Sequence, residues 1–548
     1  MVTAVLQAWA FRQVVAPDSI SYLDIARACV RGSWHSLVNG YWSPLYPMFV
    51  SFVFRVVRPS PYWEFTTAHF ANVVVFAFSF ACFEFLIGAL LRNREFWGIT
   101  REREPLAAWA FWLIGDSLFV FYTLLFNSVS EIGPDLLLAG LLYLAAGFLV
   151  RIRGGARWGT YAMFGAALGT AYLAKEVMFP LSFVALGCAF LAVKPVGKSA
   201  ARTLLAFVSF AVVAALLAGS LSVEKRRITF GDTGKIAYAE FVDGAARYIN
   251  WQGGPDGVGR PVHPTREVLS QPPLFVFAGP VGGTYPPWYD PSYWYEGVVP
   301  VFKLKDQLRA IRYTIEEYAG ILPYLAPLLV TFLAFVFFGH GEGASSRDDL
   351  LSQWPLWVIA AAGLGTYALV YVEARLVAPF LELLSVALFA GLTFSKNDAA
   401  RAIQRSASLA LAVFLLAGIG WLAFRASFRA LAPKPFVDWQ VAEGLKRSGI
   451  DRGDQIASMG YSLNAYWAHL AGLRIVAEIP WGAASAYWAC SPGVKSEILT
   501  DFANAGAKAV VTDQGPPNGP NKEWQRIGQT AYFIHMLSAT SADNKSDQ

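Results

Sequence analysis

Eleven apolar runs, approximately 1–16, 62–91, 105–127, 130–150, 157–173, 176–193, 200–222, 320–339, 353–372, 375–394 and 406–425, limit what this chain can fold into more than any other feature. A bilayer core about 30 Å thick needs roughly 20 apolar residues per helix. In lipid every backbone N–H and C=O must be satisfied within the protein, so only helices and closed barrels span it. The runs lack the alternation of barrel strands, so they predict a polytopic α-helical membrane protein of about eleven transmembrane helices. Only 15 % of the 548 residues are charged, against about 25 % in soluble domains. The net charge of +5 gives no footprint for nucleic acid, because its excess lies in short loops between apolar runs. The first run is short for a span, and it reads as a short helix or one lacking its upstream turn.

Arginine and lysine set the topology. The loops 92–104, 151–157, 194–202 and 395–405 are basic, and 340–349 joins them by parity. Short loops rich in Lys and Arg stay cytoplasmic. The segments 17–61, 128–129, 174–175, 223–319, 373–374 and the tail from 426 are then outside. The stretch "YWSPLYPMFVSFVFRVV" (41–57) would upset this order if it crossed, so it predicts a helix lying in the outer interface. With that topology Asp18, Asp24, Glu131, Asp135, Lys175, Glu176, Glu373 and Arg375 all fall at or just below the outer ends of helices. Charged groups in spans are expensive and face a cavity or one another. Their common level predicts a polar cavity open to the outside. Taken singly, each could be an interfacial snorkeller.

Two soluble pieces lie outside. The loop 223–319 contains "FAGPVGGTYPPWYDPSYWYEG", with seven aromatics, four prolines and four glycines. Pro and Gly argue against regular structure, while the aromatics argue for an ordered lid or binding loop. Tyr285, Trp288 and Asp290 are candidates for contact with a sugar ring; anchoring on the bilayer surface is the competing reading. The tail 426–548 alternates strand and helix patterns: "QIASMG", "YSLNAYWAHLAG", "LRIVAEIP", "SPGVKSEILTDFANAG" with a capping serine, "AKAVVTD" and "AYFIHML". This predicts a small extracytoplasmic α/β domain. The division is therefore 1–425 membrane module and 426–548 outer domain. "GDTGKIAYAE" (231–240) has the wrong glycine spacing for a phosphate loop. The four cysteines show no metal or redox spacing and the six histidines are scattered.

Four segments carry a resemblance: "PDSISYLDIA…GYWSPLYP", "SVSEIGPDLLLAGLLYLA", "GTAYLAKEVMFPL" and "VEARLVAPFLELLSVAL". In order and in outer placement they are similar to segments of the GT-C superfamily, over about the first 425 residues. The superfamily includes the protein O-mannosyltransferases and the aminoarabinose transferases. Two positions depart from its pattern: Leu376 replaces an aromatic and Glu382 a proline. The resemblance implies a glycosyltransferase that moves a sugar from a polyprenyl-phosphate donor to an acceptor hydroxyl on a lipid, glycan or protein. It implies a bacterial inner membrane protein with its site on the periplasmic side, and an inverting single displacement. Asp18 matches the carboxylate of the first outer loop and takes the role of catalytic base, while Asp24 is left as a loop or helix-face residue. Lys175 and Arg375 are the cations for the leaving phosphate. Glu131 and Asp135, four apart on one helix face, with Glu176 and Glu373, are supporting or sugar-binding groups. Some members use a divalent cation and others none; with no DxD pair in the first outer loop, the reading here is metal-independent. A transporter of a lipid-linked sugar is the alternative, though internal repeats and midplane charges typical of transporters are not seen. A non-catalytic scaffold would leave Lys175, Glu373 and Arg375 unexplained.

Overall fold

The computed structural model describes residues 1–93, 103–193, 196–246, 250–339, 351–517 and 519–537. The basic stretches at 94–102 and 194–195 and the loop 340–349 lie outside the described residues. The helices that position the site are α1 (Val2–Ala10), α2 (Pro17–Val30), α3 (Leu45–Val57), α4 (Glu64–Arg92), α5 (Ala108–Phe126), α6 (Asp135–Arg153), α7 (Trp158–Ala174), α8 (Met178–Leu191), α9 (Val196–Glu224), α10 (Thr233–Phe241), α11 (Leu304–Gly339), α12 (Trp354–Ala368), α13 (Ala374–Ala390) and α14 (Asp398–Leu431).

Six stretches are long and apolar enough to cross a bilayer: Pro61–Arg92, Ala108–Phe126, Asp135–Arg153, Ser199–Glu224, Leu304–Phe338 and Asp398–Leu431. The chain is an integral membrane protein. The other five apolar runs form shorter helices, from 9 residues in α1 to 17 in α7 and α13. Their ends are set by backbone breaks. Lys175, at the end of α7, is extended at φ −158° and ψ 132°. Helix α3, of 13 residues, is too short to span. It buries Tyr46, Val50 and Phe54 and leaves Phe52 and Val56 on its open side, the apolar face a helix presents to lipid.

Small residues let the spans approach closely. On α7 a Cβ at Gly165 would lie 1.9 Å from the Ala206 carbonyl oxygen of α9, and one at Gly169 would lie 2.7 Å from Val213 Cβ. Gly165→Val is therefore expected to force α7 and α9 apart and lower stability by about 1–3 kcal/mol. A thermal midpoint in detergent equal to that of the wild type would disprove the close contact.

The strands are β1 (Arg103–Pro105), β2 (Arg266–Ser270), β3 (Pro273–Val276), β4 (Thr393–Ser395), β5 (Gln455–Gly460), β6 (Arg474–Pro480), β7 (Ala509–Thr512), β8 (Gln525–Arg526) and β9 (Phe533–Met536). β1 and β4 form a short antiparallel pair. The other seven make one sheet in the order β2-β3-β6-β5-β7-β9-β8, parallel between β5 and its two neighbours and antiparallel elsewhere. The tail strands fall where alternation predicted them, and Ser491 caps the helix Pro492–Asn504 by accepting from the Val494 N–H. β2 and β3 come from the outer loop, where no regular structure was expected. Their hairpin lies between two Gly/Pro-rich stretches, 250–264 and 277–297, and β3 pairs with β6 through Phe275–Glu478 and Val276–Ala477.

The outer parts also share one apolar core. Leu23 and Tyr46 from the first outer loop pack in the same cluster as Phe65 of α4, Trp251 and Trp288 of the second loop, and Ile456 and Trp467 of the tail. That cluster fixes α2 over the ends of the spans.

Candidate active site

Four helix ends meet, those of α2, α6, α7 and α13. Pro17 opens α2, since its fixed φ suits a first helical position and its missing N–H is not needed there. Asp18 follows in the first turn. Asp135 begins α6, Arg375 lies in the first turn of α13, and Lys175 follows the last residue of α7. Three helix N-termini thus point at one region, and their partial positive charge favours carboxylates there.

Arg375 is the hub. Its Nη2 donates to Asp18 Oδ2 at 3.0 Å and its Nε to Glu373 Oε2 at 2.6 Å. Its Nη1 donates to Asp135 Oδ2 at 3.5 Å and lies 3.6 Å from Glu131 Oε2. Lys175 Nζ donates to the other oxygen of Asp135. Two cations therefore face four carboxylates. Asp135 is enclosed, with 7 % of its side chain exposed, whereas Asp18 keeps 26 % and Glu131 51 %. Asp18 Oδ1 has no partner among the described residues. The Tyr371 hydroxyl donates to Glu373 at 2.5 Å, while its ring stacks on Phe241 at 3.9 Å.

Five charged groups singled out from sequence (Asp18, Glu131, Asp135, Glu373 and Arg375) thus converge, and Lys175 joins them through Asp135. Glu131 and Asp135 do not share a helix face as expected. Pro134 disfavours helical backbone before it, so α6 starts at Asp135 and Glu131 sits in the preceding turn. The two carboxylates meet through Arg375 instead. Glu176 is turned elsewhere: it accepts from the backbone N–H groups of Thr233 at 3.0 Å and Gly234 at 3.5 Å, capping α10. Gly231, at φ +138°, lets the chain pass that carboxylate, since a Cβ there would lie 2.2 Å from it.

Tyr285, Trp288 and Asp290 lie inside the outer loop, where Tyr285 and Trp288 line a small pocket with Pro17, Ser21 and Asp24 of α2. The Tyr285 hydroxyl donates to Glu478 Oε1 at 2.7 Å, fastening the loop to β6. Burial and the adjoining carboxylate push that hydroxyl well above its usual range, and burial raises Glu478. Trp288 packs edge-on to Trp42 at 5.4 Å, and its carbonyl accepts from Ser21 and from the Trp42 indole. Asp290 accepts from the Ser292 hydroxyl at 2.6 Å, and burial raises its carboxyl although Lys225 opposes the shift.

One further group escaped the sequence reading, and a second proves to have partners the sequence did not show. Tyr22 lies one helical turn past Asp18 on α2 and is buried; burial first, then Asp135 and Asp18, raise its hydroxyl well above the usual range. Its i,i+4 spacing from Asp18 was the available signal. The other is Asp24, expected to be a loop or helix-face residue. Its Oδ2 accepts the Thr284 N–H at 2.6 Å and its Oδ1 lies 2.8 Å from His469 Nδ1. His469 Nε2 lies 2.9 Å from Glu64 Oε1, and Arg27 closes the chain by donating to Glu64 Oε2. His469 is fully buried. This chain of buried polar groups ties α2 to the first turn of α4, to the outer loop and to the tail. Among the described residues no group of three or more His, Cys, Asp or Glu converges as a metal site.

No protein-family model and no curated protein sequence matches the chain. Among solved structures it is similar to ArnT from Cupriavidus metallidurans bound to undecaprenyl phosphate, with 11 % identity, a TM-score of 0.52, and coverage of 98 % of this chain and 97 % of that one. The apo state of ArnT gives 13 % identity and a TM-score of 0.53, covering 97 % and 96 %. An oligosaccharyltransferase from Archaeoglobus fulgidus, at 11 % identity and a TM-score of 0.44, covers 90 % of this chain and 64 % of that one, too loose a fit to carry weight.

Proposed function

We propose that this chain, which has the GT-C membrane fold of ArnT, is a glycosyltransferase that takes a sugar from a polyprenyl-phosphate-linked donor. The observation that carries the reading is Arg375, set between four carboxylates at a point where three helix N-termini meet. ArnT with undecaprenyl phosphate bound supports the class of donor. The acceptor hydroxyl, on a lipid, glycan or protein, attacks the anomeric carbon. The bond from that carbon to the phosphate oxygen breaks, and the polyprenyl phosphate leaves with the electron pair. The hydroxyl proton passes to Asp18, whose Oδ1 is open while Oδ2 is held by Arg375. Arg375 and Lys175 balance the charge that develops on the phosphate. One displacement inverts the anomeric centre. Glu131, Asp135 and Glu373 orient the two cations, and Glu131, the most exposed, also reaches sugar hydroxyls.

In this reading residues 1–425 are the catalytic module and 426–548 an extracytoplasmic domain. The chain lies in a bacterial inner membrane with the ion cluster on the periplasmic side. Arg92, Arg151, Arg153 and Arg157, at the opposite ends of α4, α6 and α7, support that orientation.

The test is transfer of labelled sugar from a polyprenyl-phosphate donor by purified protein. Asp18→Asn is expected to abolish transfer while donor binding and folding persist. Full activity in that variant removes Asp18 from the role of base, and transport without donor consumption removes the enzyme reading.

A further inference from the structure

At the end of the bundle away from the ion cluster, Arg92, Asn93, Arg151, Gly154, Ala156, Arg157 and Thr160 line an open cavity of about 390 Å³. Asp135 and Arg153 mark the two ends of α6, so the cavity lies about 27 Å from the cluster at 1.5 Å per residue. It belongs to no part of the proposed transfer reaction.

The local sequence explains its shape. "RIRGGAR" ends α6 and starts α7 within a few residues. Gly154 has no room for a side chain, because a Cβ would lie 2.1 Å from Asn93 Oδ1, and Gly155 turns the chain at φ +85°. The turn brings Arg157 and the first turn of α7 round to face Arg92 at the end of α4.

Arginines in short inner loops are usually solvated, and most need no ligand. Two of these three are pinned. Arg92 Nε donates to the Gly88 carbonyl at 3.1 Å, and the Arg151 guanidinium lies 4.2 Å from the centre of the Phe85 ring. Among the described residues none of Arg92, Arg151 and Arg157 pairs with a carboxylate. Arg153 turns away to the Ser352 carbonyl. Three like charges thus line one hollow beside the N-terminus of α7, whose first N–H groups add positive potential. Guanidinium forks suit phosphate oxygens, and basic pockets between span ends accept anionic headgroups. Trp158, half exposed at the rim with Arg202 near its ring, sets the level at the membrane–water interface.

We propose that this cavity binds a phosphate anion, carried in the membrane by the headgroup of an anionic phospholipid of the leaflet opposite the ion cluster. Native mass spectrometry of the full chain in neutral detergent tests it, with phosphatidylglycerol, phosphatidylcholine or inorganic phosphate added. The wild type is expected to retain phosphatidylglycerol over phosphatidylcholine. Retention should fall about fivefold per arginine in Arg151→Gln and Arg157→Gln, from ~1 kcal/mol for each basic residue near an anionic surface. Arg157 is exposed, so its variant keeps the fold. Arg153→Gln, at the same level but outside the cavity, should change retention little. Inorganic phosphate adducts with the same arginine dependence also support the site, with a free anion as its source. Equal loss in all three variants, or no dependence on any of them, overturns the proposal.

Discussion

Arg375→Ala is expected to lower the rate of sugar transfer by about 10²–10³-fold, the usual cost of removing one preorganised group from a developing charge. The guanidinium lies at once against Asp18, Glu131, Asp135 and Glu373. Without it four carboxylates face Lys175 alone. Asp18 then loses the partner that orients it. Arg375→Lys should recover only a small part, because a point charge on a flexible stem cannot reach three directions from one plane. Steady-state kinetics against the polyprenyl-phosphate donor check this, and unchanged donor kinetics would remove Arg375 from the phosphate. Combining Arg375→Ala with Asp18→Asn should cost far less than the product of the single losses, since both act on one unit.

The second large effect lies outside the reaction. His469→Ala is expected to destabilise the outer assembly by about 1–3 kcal/mol, because it removes the buried ring that joins the carboxylates of Asp24 and Glu64. Glu64 keeps Arg27, and Asp24 keeps only its bonds from Thr284. Replacing Asp24 by Asn in the same chain should restore part of the loss. The thermal midpoint and the rate of proteolysis of the tail read the effect out. A loss below about 1 kcal/mol would show that the carboxylates find water or other partners.

What could be read beforehand followed from range. Six of the eleven expected spans, the tail strands β5, β6, β7 and β9 and the cap at Ser491 rest on patterns within a few residues, and they appear where expected. Charges at the ends of spans were visible because lipid makes them conspicuous. The pairings were not, since Asp18 and Arg375 are 357 residues apart. β2 and β3 were hidden because the partner that makes them strands, β6, lies some two hundred residues away. His469 looked like one of several scattered histidines; only the fold supplies its two carboxylates. Tyr285 and Trp288 were read as candidates for contact with a sugar ring; the fold buries both.

The joint sheet has a consequence for the order in which the protein can mature. A ribosome releases Asp18 well before β6, yet the helix carrying Asp18 leans on His469 and the 266–276 hairpin waits for its neighbour. A chain halted after α14 would lack the brace that holds its proposed base in place. Under the proposed function, competence for chemistry would wait for β6 and His469, so copies halted before them are expected to be inert.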